Sequence, residues 1–147
     1  MKPIRLNQHG IALVEFALIL PLLLILTFVT TEYSRALFQY NILTKSVRDA
    51  ARYLSVYNPG DTTKYPIAKN LVVYGNPSGT GAPLVIGLTT SLVPNPVWQK
   101  VGTAPAINTV TIRVTGYTFT PLFASAFGVS FGNLAYADIS ATMRAPL

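Results

Sequence analysis

The stretch IALVEFALILPLLLILTFV, residues 11–29, decides how the rest of the chain is read. It holds one ionisable side chain, Glu15, among Ile, Leu, Ala, Val, Phe, Pro and Thr. About 20 apolar residues rising 1.5 Å each cross a hydrocarbon core of roughly 30 Å, so a membrane-spanning helix over 11–30 is the economical reading. The segment before it, Met1 to Gly10, is short and polar, with Lys2 and Arg5 and no acid. Positive charge beside a span marks the cytoplasmic side, which puts the remainder across the membrane. A removable secretory signal fits less well: the apolar run is long and Thr30, Thr31, Glu32 and Tyr33 make a poor cleavage site. Ser34-Arg35-Ala36, the nearest small-x-small candidate, has a long charged residue in its middle.

Helical periodicity continues beyond the span, over 31–58. Tyr33, Leu37, Tyr40, Leu43, Val47, Ala51 and Leu54 recur at threes and fours, while Glu32, Arg35, Gln39, Lys45, Arg48, Asp49 and Arg52 fall elsewhere. Glu32 with Arg35 and Lys45 with Asp49 have the spacing of helix ion pairs, worth a few tenths of a kcal/mol each. Asn58-Pro59-Gly60 is the expected stop. A helix from Ile11 to Tyr57 would be on the order of 70 Å long, far more than a membrane needs. Its second half must pack on something. Pro21 removes one backbone bond, and a local kink is expected there.

From residue 59 onward the chain turns to Gly, Pro, Thr, Asn and short β-rich runs. Leu71 to Tyr74 reads as a strand closed by Gly75-Asn76-Pro77, and Leu84-Val85-Ile86 as a second. Val93 to Pro105, with three prolines and Trp98, reads as loop or edge. Val110 to Thr115 alternates cleanly. Gly116 then shifts the phase through Tyr117 and Phe119, as a bulge does. Leu134 to Arg144 is the closing strand, with Ala135, Ala137, Ile139, Ala141 and Met143 on one face and Tyr136 and Asp138 on the other. The fold expected is α+β: a long N-terminal helix, spanning in its first half and amphipathic in its second, packed on a small antiparallel β-sheet of an extracytoplasmic domain, 59–147.

Composition narrows the function. Among 147 residues half are hydrophobic and only 11% are charged, well below the ≈ 25% usual for soluble chains. The net charge of +6 is scattered, with Lys45, Arg48 and Arg52 its only local concentration, so nucleic acid is not an expected partner. With no cysteine, disulfides and thiolate chemistry are excluded. The single histidine, His9, lies in the leader, and Asp61 and Asp138 are the only acids of the β-rich region. Neither a nucleophile–base set, a phosphate-cradling loop nor a metal-ligand cluster is present, so no enzyme and no cofactor is expected.

Glu15 has no cation within the span, and an intramembrane carboxylate is costly unless it is paired or reaches the head groups. A chain cut after Gly10 would place the α-ammonium of Ile11 one helical turn from Glu15, and in a polymer that amine could equally serve a neighbour's carboxylate. Gly10-Ile11-Ala12-Leu13-Val14-Glu15-Phe16 resembles the processing site of type IV pilin-like proteins. The longer run Gly10 to Leu24 is similar, more narrowly, to TadE-like minor pseudopilins of tight-adherence (Flp) pilus systems. Arg35-Ala36-Leu37, Ala50-Ala51-Arg52-Tyr53 and the closing Ala141-Thr142-Met143-Arg144 fit that family too, whereas Asp61 to Asn108 matches nothing nameable.

This resemblance implies cleavage between Gly10 and Ile11 by a prepilin peptidase, with Glu15, and Phe16 beside it, serving assembly. It implies an inner-membrane, single-pass protein, N-terminus cytoplasmic and C-terminal domain outside, whose partners are other pilins and pseudopilins and the assembly platform. Major pilins of the family are much shorter, so this length favours a minor subunit. The competing expectation is a signal-anchored periplasmic binding module that never polymerises.

Overall fold

The computed structural model describes residues 9–146, with only the backbone described at His9 and Ala126. The leader residues Lys2 and Arg5 lie outside the described residues. Helix α1, His9–Leu54, is continuous through Pro21. Near the end of its apolar part the hydroxyls bond within the helix: Thr27 to Leu23 O (2.8 Å), Thr30 to Leu26 O (3.0 Å) and Thr31 to Thr27 O (2.8 Å). Back-bonding of this kind lets a polar side chain sit in an apolar medium with its donor satisfied. The helix stops at Leu54, one turn before the expected Asn58. Ser55 and Tyr57 donate their N–H groups to Ala51 O and Leu54 O, closing the last turn.

The chain divides into two compact units, residues 36–120 with 133–146 and residues 9–35 with Pro121–Gly132. The first holds the core. Leu43, Val47, Ala50, Ala51 and Leu54 of α1 are fully buried there, and Ala36 nearly so. The expected stripe is therefore correct from Leu43 onward but not before it, since Tyr33, Leu37 and Tyr40 are exposed. Of the two expected ion pairs only Glu32–Arg35 forms; Lys45 and Asp49 remain in solvent.

Residues Leu71 to Tyr74 are not a strand. They are the end of α2, Tyr65–Tyr74. Pro66 occupies its first turn, where a missing N–H costs nothing, and Gly75 at φ +71° caps it by donating to Leu71 O. Ala68, Val72 and Val73 are buried along one side. Their burial outweighs the β-preference of two adjacent valines. Leu84 to Ile86 is also no strand; it bends so that Val85 and Leu88 enter the core while Ile86 stays out.

The sheet is antiparallel, in the order β1-β2-β7: β1 Val97–Val101, β2 Ile107–Val114 and β7 Ile139–Arg144. On β2, Val110, Ile112 and Val114 face the core, as their alternation predicts, opposite Met143, Ala141 and Ile139. The other face is polar, with Thr111 and Thr142 hydroxyls 2.7 Å apart. β1 is an edge strand within the segment expected as loop or edge. Trp98, opposite Val110, packs against the core. Gly116 is a break between ladders rather than a bulge: at φ +68° it turns the chain out of β2 into β3, Thr118–Phe119, which pairs with β6, Leu134–Ala135. The expected closing strand is thus two strands, β6 and β7. Tyr136 between them packs on the core, whereas Ala135 and Ala137, expected to face inward, are exposed.

Candidate functional site

Along α1 from Gly10 to Leu20 every side chain is exposed, and the 18-residue window that qualifies as a membrane span has none of its residues buried. A water-exposed apolar surface of that extent needs a bilayer or other helices to cover it. The four residues singled out by sequence all lie on it. Gly10 has open space where a Cβ would project, Ile11 and Phe16 are 64% and 57% exposed, and Glu15 is exposed with no ion-pair partner among the described residues. Ile11 and Glu15, four apart, share one face, while Phe16 lies about 100° around the helix.

Where the apolar run ends, a polar clamp appears that sequence reasoning did not find. Glu32, expected on a solvent face, is 5% exposed. Its Oε2 accepts from Arg35 Nη1 at 2.6 Å, and its Oε1 accepts from the backbone N–H of Leu122 at 3.3 Å. One turn earlier, Phe28 packs on Phe123 with ring centroids 5.1 Å apart. These contacts tie the segment Pro121–Gly132 to α1. The segment forms a hairpin, β4 Ser125–Ala126 with β5 Val129–Ser130, closed by Phe127 and Gly128 at φ +51° and +80°. Positive φ at both central residues defines a type I′ turn. The one sequence signal for it is Phe-Gly inside an uncharged run.

In the unit of residues 36–120 and 133–146, a second cluster joins distant parts of the chain. Tyr136 OH donates to the Ala36 carbonyl at 2.6 Å, and its ring meets Tyr40 edge-on and Tyr117 at a tilt. Tyr117 OH lies 2.8 Å from both the Ile86 carbonyl and Gln39 Oε1. One hydrogen cannot serve both fully; with the Gln39 amide turned over, its NH2 donates to the phenol and the phenol to Ile86. Burial holds both phenols above their ordinary pKa, with the nearby Tyr117 adding to the effect on Tyr136. Farther along, a hydrogen bond with Tyr57, then burial, pushes Tyr53 up to about 12. Asp61 is held below the usual carboxylate range by its hydrogen bond from Thr63. Asp138 is exposed, and no group of three His, Asp or Glu residues able to hold a metal occurs among the described residues. The polar clusters brace the fold.

The family model described as TadE-like protein matches residues 10–52. Over this segment the chain is similar to that family. The TadE-like match begins at Gly10 and ends two residues before the end of α1, so it coincides with the helix and includes neither α2 nor the sheet. The one described helix long and apolar enough to cross a membrane belongs to the same TadE-like segment and suits single-pass anchoring. No curated protein and no solved structure matches the chain.

Proposed function

We propose that this chain is a minor pseudopilin that takes part in assembling or priming a tight-adherence pilus, without catalysing a reaction itself. The observation that carries the reading is the TadE-like match starting at Gly10, on an exposed apolar run of α1, residues 11–29, whose single carboxylate, Glu15, lies little more than one turn inside that glycine. In this reading a membrane aspartic peptidase of the prepilin class cuts between Gly10 and Ile11 on the cytoplasmic face. Glycine suits the scissile position because its missing side chain lets a protease approach the backbone. The new α-ammonium of Ile11 and the carboxylate of Glu15 then attract one another, or the corresponding groups of adjacent subunits, in a medium where an unpaired charge is costly. Phe16 and the surrounding apolar face meet the neighbouring helices. The chain past the span, from about residue 31 onward, belongs to the extracytoplasmic side and presents the sheet domain.

Glu15→Ala tests the pairing role. The variant should insert and lose its leader as the natural chain does, yet be depleted from sheared pili and impair their assembly. Unchanged pilus assembly with Glu15→Ala would exclude that role. A binding module that never polymerises would likewise be indifferent to the substitution.

A further inference from the structure

The hairpin segment Pro121–Gly132 contains no charged residue. It exposes Leu122 (66%), Phe123 (48%) and Phe127 (56%). Its turn is built at the cost of backbone comfort: Phe127 holds φ +51°, a conformation that Asn or Gly adopts easily and an aromatic residue rarely. Strain of that kind clusters at sites with a function. In water the tip would be an exposed aromatic patch with nothing to gain.

The location supplies the occupant. Leu122 is held at the level of Glu32, just past the apolar run, whereas the next residue, Phe123, packs on Phe28 inside it. Four helical residues separate those levels, about 6 Å at 1.5 Å per residue, so the segment is fastened to α1 where the apolar run ends. The exposed Leu and Phe side chains thus belong to the same compact unit as the apolar run of α1. We propose that the hairpin Pro121–Gly132 is a second membrane contact of this chain, seating Phe127 in the interfacial layer of the leaflet where α1 emerges. Aromatic rings favour that layer. Glu32, its charge shared with Arg35, marks the polar boundary and fixes the hairpin's depth. The inference rests on the reading of α1 as a span.

The cysteine-free chain allows one spin label at a time. Full-length Phe127→Cys and Val129→Cys, reconstituted in phosphatidylethanolamine–phosphatidylglycerol vesicles, would be compared with Leu18→Cys in the span and Ser78→Cys on an exposed loop. Collision with oxygen reports lipid; collision with the water-soluble nickel chelate NiEDDA reports solvent. Labels at 127 and 129 should fall between those at 18 and 78, with oxygen access raised and NiEDDA access lowered relative to 78. If 127 and 129 are as open to NiEDDA as 78 while 18 is in lipid, the hairpin contact is wrong and the span stands. A label at 18 that is itself in water removes the span and this inference with it. Shielding of 127 and 129 from both reagents would show a protein cover, which also overturns the lipid assignment.

Discussion

Tyr117 and Glu32 carry contacts that no local pattern announces. Each partners a residue far away in sequence: Tyr117 reaches Gln39 and Ile86, Glu32 reaches Leu122. Tyr117→Phe leaves the Ile86 carbonyl without its donor, and a loss of about 1–2 kcal/mol is expected in denaturant unfolding of the full chain in micelles. The raised pKa of Tyr117 and Tyr136 adds a pH signature. A group whose folded pKa exceeds its unfolded value stabilises the fold in its protonated form. That contribution is whole below about pH 10, the unfolded value for tyrosine, and is lost as pH rises through the folded values. Unfolding midpoints should therefore fall in the alkaline range, and tyrosinate absorbance should appear later in the folded chain than in the unfolded one. Glu32→Ala should leave the Leu122 amide without its acceptor, raising its hydrogen–deuterium exchange while that of β2 is unchanged. The four residues that sequence singled out are of the opposite kind. Gly10, Ile11, Glu15 and Phe16 form a local motif and need no tertiary contact to be read.

α1 and β2 were legible because each has one strong period, an unbroken apolar run followed by threes and fours in the helix and strict alternation in the strand. α2 was not, because the window Leu71 to Tyr74 is too short to show a period and its helical start, Pro66 to Asn70, looks like a turn. Alanine substitutions distinguish the two geometries. Val72→Ala and Val73→Ala should each cost about 2–3 kcal/mol, since both adjacent side chains are fully buried, and half-buried Leu71 should cost less. A strand would alternate instead, with large losses at every second position. Gly75→Ala should cost about 1–2 kcal/mol: its φ is +71° and the added methyl would meet Leu84 Cδ2 at 3.1 Å. The hairpin at Pro121–Gly132 escaped notice because its residues are apolar without alternation, and its clamp lies on another element.

At the scale of the whole molecule, one helix, α1, carries two kinds of burial at once. From Leu43 to Leu54 it supplies part of a domain's own core, whereas from Gly10 to Leu20 its side chains are left uncovered. The first explains why a sheet accompanies so long a helix; the second is the part that must find a bilayer or other helices. Because Gly10 stands in open space, Gly10→Val should leave the fold undisturbed and yet block maturation, keeping the leader attached in an intact-mass measurement. The central claim, that the leader is removed to create an assembly-competent helix, is tested most directly by N-terminal sequencing of the chain extracted from its host membrane. The account predicts a mature protein beginning at Ile11; an intact Met1, or a start after Thr31, would contradict it.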